Sequence, residues 1–339
     1  MSVLAVENPV LTVLRLLESR IRVVKDNAAV ASIKCTEENY DRELLKDYDA
    51  QITMAIDPAL GVQDQRLNLT GSLRRRVFFL KCTTFSMNKE TSGSDQGKAM
   101  REKINAQINA IIRENRTLPY QTTYNFYGLG YPEGTPHKAY DAVSASELAP
   151  SSTSWAELSV LNYAKIWSND DVFHSKATST NGQYAEMLFR FKIGLKAGET
   201  RNEPREQCVK NIVLTFVGYG IAALGNGATI KVWNHTTSAW TNTQAGTGSA
   251  KETLTITLTS SLINYIDADG YLWLLARTTN TSNGTAITLY CDFVQCVIQV
   301  QGVTKCDVVR YKNADVVSVK PFLFTSEFTL RAWLIENIV

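Results

Sequence analysis

The chain has 339 residues, with 35 Lys and Arg against 33 Asp and Glu, a net charge of +2 and 44% hydrophobic residues. That length predicts two domains, and the composition is that of a globular protein with enough apolar residues for real cores. The balanced charge excludes nucleic-acid binding by overall charge, so any basic function must be local.

Signals for secretion, membrane insertion and zinc binding are missing from the sequence. Residues 1–17 lack the pattern of a secretory signal. No uncharged apolar run reaches the roughly 18 residues of a membrane helix. We therefore expect synthesis in the host cytoplasm and no membrane partner. The six cysteines form no Cys-x-x-Cys pair, which argues against zinc. Four of them lie in apolar runs and are expected to be buried free thiols: Cys35, Cys82, Cys291 and Cys296.

The first 117 residues are predicted to form an α+β domain, with helices packed on one face of a mostly antiparallel sheet. Apolar residues at helical spacing predict helices over 9–21 and 98–116. Strands are expected at 22–24, 30–35, 51–56 and 74–87, and 40–48 is expected to be a short helix or an exposed arm.

The composition changes over 118–150, where Tyr and Phe alternate with Gly, Pro and Thr without a regular period. We interpret this segment as an ordered linker. Residues 151–306 then predict an all-β sandwich or jelly roll, because short alternating runs are separated by turn signals such as Asn226-Gly227 and Asp269-Gly270. Residues 307–339 predict about three more strands, including 322–324 and 328–335, which pair with the first domain, the linker or a neighbouring chain.

In its amphipathic first helix, its strand Arg76–Ser86 and its helix over 98–116, the first part of the chain resembles the tail terminator (tail completion) proteins of long-tailed bacterial and archaeal viruses. The resemblance covers about a third of the chain. It implies a structural virion protein at the neck of the tail, closing into a homohexameric ring on the head-proximal end of the tail tube. The implied partners are a second copy of the chain, the tail tube protein and the head–tail connector, with genomic DNA passing through the lumen.

The second half resembles the jelly-roll sandwiches of carbohydrate-binding modules and of decorations on viral particles. The resemblance rests on short sequence segments such as Phe216–Gly220 and Val232–Asn234. Terminators are small single domains, so the sandwich is an addition to that pattern. The resemblance implies an outward-facing decoration that stabilises the collar or touches a host glycan.

The densest cluster of positive charge in the sequence is the triplet Arg74, Arg75 and Arg76. In a ring they would give a positive band facing DNA phosphates without sequence preference. The plainer alternative is a solvated strand start whose arginines pair with carboxylates of a neighbouring subunit.

Asp267 and Asp269 have the spacing of a calcium-binding turn, and Asp170 and Asp171 offer further oxygen ligands. Asp-Gly is also a common hairpin turn, so a purely structural role stays open. No other cofactor is expected.

Trp240, Trp233 and Tyr219, together with Tyr271, are candidates for an aromatic surface that binds sugar rings. Trp233 lies in an alternating strand and fits a core position, whereas Trp240 lies among polar residues and fits an exposed one.

The charged segment 37–49 is interpreted as an intersubunit arm, with Tyr40, Arg42, Leu44 and Tyr48 as interface candidates.

The sequence carries no catalytic motif, so no enzyme is expected. Two alternatives to the terminator stay open. One is a carbohydrate-binding adhesin or baseplate protein, and the other is a polysaccharide-active enzyme using Asp170 and Asp269.

Overall fold

The computed structural model describes residues 6–26, 29–37, 40–67, 73–88, 97–116, 121–126, 136–194, 203–318 and 321–337. The chain forms two units, one made of Met1–Thr122 with Gln299–Val339 and the other of Thr123–Ile298. Strands hold 49% of the described residues. Among the described residues, no helix combines the length and the hydropathy that crossing a membrane requires.

The helices are α1 Pro9–Arg20, α2 Leu44–Asp47, α3 Gly97–Glu114 and α4 Val160–Tyr163, with 3-10 turns at Glu206–Cys208 and Leu262–Tyr265. The strands are β1 Ile33–Glu37, β2 Ala50–Ile56, β3 Val62–Arg66, β4 Leu73–Met87, β5 Gln121–Tyr124, β6 Lys138–Ser144, β7 Ala156–Glu157, β8 His174–Thr178, β9 Tyr184–Lys192, β10 Val209–Ile221, β11 Ala228–Asn234, β12 Ala239–Ala245, β13 Glu252–Leu258, β14 Tyr271–Thr278, β15 Ile287–Val300, β16 Lys305–Val316 and β17 Leu323–Asn337.

The first unit is built on one sheet with strand order β1-β2-β4-β17-β16, and β3 pairs with β4 beyond the end of β2. Only β1 and β2 run parallel among these pairs. Strands β4 and β17 pair over their full length, from Leu73 opposite Asn337 to Met87 opposite Leu323. The last strand, β17, therefore pairs with β4 of its own chain, and β16 pairs with β17. The described part of 307–339 holds two strands and not the three predicted, because the runs at 322–324 and 328–335 fall in β17 or at its start.

Helices α1 and α3 share a core with this sheet. Asn8 caps α1 by accepting a hydrogen bond from the Val10 N–H, and Pro9 occupies the first turn, where no intrahelical donor is needed. The apolar stripes predicted for both helices are buried against strand residues such as Ile52, Leu80 and Leu330. Burying each such side chain contributes about 1.5–3 kcal/mol.

The second unit has two sheets. One has the order β13-β10-β15-β5 with β8 also on β15, and the other has the order β12-β11-β14-β9-β6-β7. Side chains from both meet between them, as in the 6.2 Å contact between the rings of Phe189 and Phe216. The expectation of a mostly β chain with sandwich-like sheets is confirmed.

The boundaries of the units differ from the predicted ones. The segment 118–150, interpreted as a linker, contains β5 and β6, and β6 pairs with β9 over seven positions from Lys138 to Ser144. The linker interpretation is wrong for these strands, since residues such as Ala139 are fully buried in the sheet. The Tyr and Gly residues of 127–135 lie outside the described residues. Strands β3 and β12 were not predicted, because both are short and largely polar.

Candidate functional site

The outer surface of the β12-β11-β14-β9-β6-β7 sheet follows from strand alternation. Val232, Leu274 and Phe189 point into the sandwich and are fully buried. Their neighbours Trp233, Trp273 and Arg190 therefore point outward and are partly exposed.

Three tryptophans lie side by side on this surface. Trp233 on β11 opposes Trp240 on β12, and the rings meet edge to face with centroids 5.0 Å apart. On the other side of β11, Val232 opposes Leu274, so the same antiparallel register places Trp233 beside Trp273. We call the surface formed by Trp233, Trp240, Tyr271, Trp273 and Arg190 the aromatic face.

Arg190 and Tyr271 extend the row of tryptophans. Trp273 opposes Arg190 on β9, and the Arg190 guanidinium carbon lies 5.6 Å from the Trp273 ring centroid. The same carbon lies 4.4 Å from the centroid of Tyr271, whose ring is 6.3 Å from that of Trp273. These cation–π distances hold the guanidinium against two rings.

Hydrogen bonds fix the orientation of two indole rings. The Trp240 indole N–H donates to the carbonyl of Leu148 at 3.0 Å, and that of Trp273 donates to a carboxylate oxygen of Asp267 at 3.3 Å. The polar edges of these rings are thus satisfied within the chain, and ring faces remain for other contacts.

A segment over 145–150 covers the other half of the same sheet surface. Glu147 pairs with Lys231 at 2.6 Å and with Arg277 at 2.7 Å. Beneath it, Leu188, Leu275 and Glu186 are buried although they point outward from the sheet. Burial raises the pKa of the Glu186 carboxyl to about 7. The aromatic face borders this segment, and its residues are partly exposed among the described residues.

The structure divides the predicted glycan residues between two sheets. Trp233 and Trp240 belong to the aromatic face together with Tyr271. Tyr219 lies in the other sheet on β10, stacked on Tyr290 at 4.6 Å. The core position expected for Trp233 is wrong, because Ile230 and Val232 are the inward residues of β11. Trp273 and Arg190 were missed, although their alternation with Leu272, Leu274 and Phe189 is visible in the sequence.

The candidate calcium carboxylates do not form one site. Among the described residues, no group of three or more His, Cys, Asp or Glu side chains is placed to hold a metal ion. Asp267 caps its own turn instead, accepting hydrogen bonds from the N–H groups of Asp269 and Tyr271 at 2.9 and 2.8 Å.

Asp170 and Asp171 belong to a different loop. Both donate their backbone N–H to the buried carboxylate of Asp292 on β15. A hydrogen bond from the Ser168 hydroxyl lowers the pKa of Asp170. Lys251 pairs with Asp171 and with Asp292, so an ammonium group supplies the positive charge at this loop. The residues proposed as a glycosidase pair, Asp170 and Asp269, thus lie on loops of different sheets.

The arginine triplet lies on β4, where alternation sends Arg75 to the face opposite that of Arg74 and Arg76. Arg74 pairs with Asp64 of the adjacent strand at 3.2 Å, and Arg75 donates to the side chain of Gln65. The three guanidinium groups do not share one face, so only part of the triplet can contribute to a single band. Their role toward DNA stays a prediction.

The interface candidates lie near α2. Tyr40 stacks on Phe85 of its own chain with centroids 4.4 Å apart. Arg42 is exposed, and Leu44 and Tyr48 are partly exposed on either side of the fully buried Leu45. Residues 38–39 of the proposed arm lie outside the described residues. An intersubunit role for the four candidates stays a prediction.

Comparisons with known proteins give one family match. Residues 134–300 match the family AF_1625_C, described as "Uncharacterized protein, C-terminal domain". The match begins and ends close to the boundaries of the second unit. No curated protein matches the sequence.

Several solved structures are similar to parts of the chain. One described as "CBM4 structure and function" has 14% identity and a TM-score of 0.23, with 36% of this chain and 92% of that chain covered. A second, on carbohydrate-binding modules from the β-sandwich superfamily, has 9% identity and a TM-score of 0.22, covering 72% and 96%. The enzymatically active domain of bacteriophage CBA120 tailspike protein 4 has 9% identity and a TM-score of 0.21, covering 52% of this chain and 19% of that chain. TM-scores this low support no functional inference.

Proposed function

We propose that this protein is a non-enzymatic binding protein and that its aromatic face binds carbohydrate. The observation that carries the proposal is the row of Trp240, Trp233 and Trp273 on three adjacent strands, each partly exposed. The C–H groups of a sugar ring pack on aromatic faces, and its hydroxyl groups require polar neighbours at the edge of the surface.

The dimensions and rigidity of the row support an extended ligand. Two strand spacings separate Trp240 from Trp273, which is about 10 Å, so the row is long enough for an oligosaccharide. The indole hydrogen bonds to Leu148 and Asp267 hold the rings in place before any ligand arrives. A preformed surface loses less conformational entropy on binding.

The test is a glycan array followed by calorimetry on the full chain, comparing Trp273→Ala and Trp240→Ala with Tyr219→Ala. Tyr219 is the matched control, because it is a partly exposed aromatic residue on the other sheet. We expect each tryptophan variant to lose about 1–2 kcal/mol of binding free energy, which is about five- to thirtyfold in Kd. Tyr219→Ala should bind like the wild type. Equal loss in all three variants, or no glycan binding by the wild-type chain, would contradict the proposal.

A second proposal concerns the first unit, which we infer to be an α+β assembly domain in a chain that also contains a jelly-roll sandwich. Its supporting observation is the edge strand β16, where Val309, Tyr311 and Val316 are 50%, 55% and 48% exposed. An open edge presents unpaired backbone donors and acceptors to another strand. If a second copy paired with β16, the sheet would continue from one subunit into the next. Such pairing is one way to build the ring that the tail-terminator resemblance predicts.

Native mass spectrometry at low and moderate salt tests this second proposal. A species near six times 37.7 kDa is expected for a hexameric ring. The double variant Val309→Lys with Val316→Lys should then be monomeric, because charged side chains on an edge strand oppose pairing. A wild-type monomer at every concentration would count against self-assembly without the tail tube or connector.

A further inference from the structure

Arg190 lies on the aromatic face and is partly exposed. It occupies β9, with Trp273 opposite on one side and Lys138 opposite on the other. Its guanidinium carbon lies 4.4 Å from the Tyr271 ring centroid and 5.6 Å from that of Trp273. The group is thus held on the aromatic face and not free in solvent.

Neighbouring cations of this sheet surface have acceptors. Lys138 pairs with Glu157 at 2.9 Å, Arg277 pairs with Glu147, and the Lys192 ammonium donates to the carbonyl of Asp269. Within the described ranges Arg190 has neither an ion pair nor a side-chain hydrogen bond, and its buried Nε has no acceptor. Its positive charge is therefore not neutralised within this part of the chain.

The nearby acid on the Trp273 side is occupied. Asp267 accepts from the N–H groups of Asp269 and Tyr271 with one carboxylate oxygen and from the Trp273 indole with the other. Its hydrogen-bonding capacity is directed into its own turn, so it does not serve as the counterion of Arg190.

A guanidinium group in this position is suited to a planar anion. It carries five N–H donors in a rigid fork that matches a carboxylate in two parallel hydrogen bonds. Stacking against rings restricts its rotation without using those donors. Partial burial also strengthens its attraction for a negative charge, relative to a fully exposed arginine.

We propose that the aromatic face binds acidic carbohydrate, with the Arg190 guanidinium receiving the carboxylate of a uronic or sialic acid residue while the tryptophans carry the adjoining sugar rings. This inference rests on the proposed carbohydrate-binding function. It adds that the ligand is anionic and names the residue that distinguishes it from a neutral glycan.

The experiment measures binding of the full chain to oligosaccharides in matched neutral and acidic forms: mannan and mannuronan, cello-oligosaccharide and glucuronan, and lactose and sialyllactose. The proteins are the wild type, Arg190→Met, Arg190→Lys and the control Lys210→Met. Lys210 is an exposed cation on the other sheet, so its removal changes net charge equally.

The wild type should bind the acidic member of at least one pair about tenfold or more tightly, and added salt should weaken only that member. Arg190→Met should lose the acidic preference and bind the two members of each pair with similar affinity, and Lys210→Met should keep the wild-type preference. Arg190→Lys should keep part of the preference, since the charge remains without the fork. Arg190→Lys retains a cation on the aromatic face, so it also tests the inference if Arg190→Met is unstable.

Two different failures can be told apart. Wild-type binding that is equal for neutral and acidic forms, or an acidic preference that survives Arg190→Met, would overturn the role of Arg190 and leave the carbohydrate-binding proposal standing. Wild-type chain that binds no member of any pair would overturn both.

Discussion

The carboxyl group of Glu186 accepts a hydrogen bond from the backbone N–H of Leu148 at 3.4 Å, and Glu186 is fully buried. Its other carboxyl oxygen has no partner within the described residues. Burial raises the pKa of this carboxyl from 4.5 to about 7. The segment over 145–150 thus covers a carboxyl group that is protonated in mildly acidic solution.

We predict that this group makes the protein less stable as pH rises from about 4.5 to 7. In that interval the folded chain keeps a proton that the unfolded chain has lost, so the free energy of unfolding falls with pH. The shift corresponds to a loss of about 3 kcal/mol. Urea unfolding at pH 4.5 and 8 should show this loss in the wild type but not in Glu186→Gln. Glu157→Gln, a more exposed carboxyl on the same sheet, should retain it; equal pH dependence in all three would contradict the prediction.

The buried ion pair between Arg15 and Glu7 supports a second prediction. The two side chains are 4% and 3% exposed and their atoms lie 2.5 Å apart, and Glu7 also accepts from the Thr12 hydroxyl. Arg15→Met leaves a buried carboxylate without its cation and should cost about 3–5 kcal/mol in unfolding free energy.

A double-mutant cycle in urea distinguishes this pairing from lost packing. Glu7→Gln combined with Arg15→Met should cost clearly less than the sum of the two single changes, since no isolated charge remains buried. Additive costs would show that the two side chains are not coupled.

Gly270, just before the aromatic residue Tyr271, is predicted to tolerate no side chain. Its φ is +79°, and a Cβ would lie 2.0 Å from the carbonyl oxygen of Gly194. Gly270→Ala should cost about 3 kcal/mol. Gly284 is the matched control, with φ +96° and no atom within 4 Å of a Cβ, and Gly284→Ala should cost about 1 kcal/mol. Thermal unfolding of both variants measures the difference, and equal costs would contradict the close approach.

The six cysteines are predicted to be unreactive in the native protein. All are free and buried, and burial raises the pKa of Cys82 to about 12. Because the thiolate is the reacting form, a thiol reagent at pH 8 should label none of them in minutes. In urea it should label all six. Rapid labelling of even one native cysteine would indicate that its surroundings open.

Local pattern was sufficient for the long elements of this chain. The apolar stripes predicted α1 and α3, and the alternation in β4, β9 and β15 predicted strands close to their observed bounds. These segments carry their own burial pattern, because one face of each must be apolar wherever it packs. The burial of the four apolar-run cysteines followed in the same way.

Which face of a strand meets which partner was decided by the tertiary structure. Trp233 was expected inside. Alternation shows that Trp233 and Val232 lie on opposite faces of β11, but it does not show which face is buried. In the structure Ile230 and Val232 face the other sheet and are fully buried. Likewise Trp240, Trp273 and Arg190 share one surface only because β12, β11, β14 and β9 pair in that order, and β9, the β11–β12 pair and β14 are separated in sequence. The sequence by itself therefore determined which segments have an apolar side, whereas strand order and register, set by long-range pairing, decided which residues share a surface.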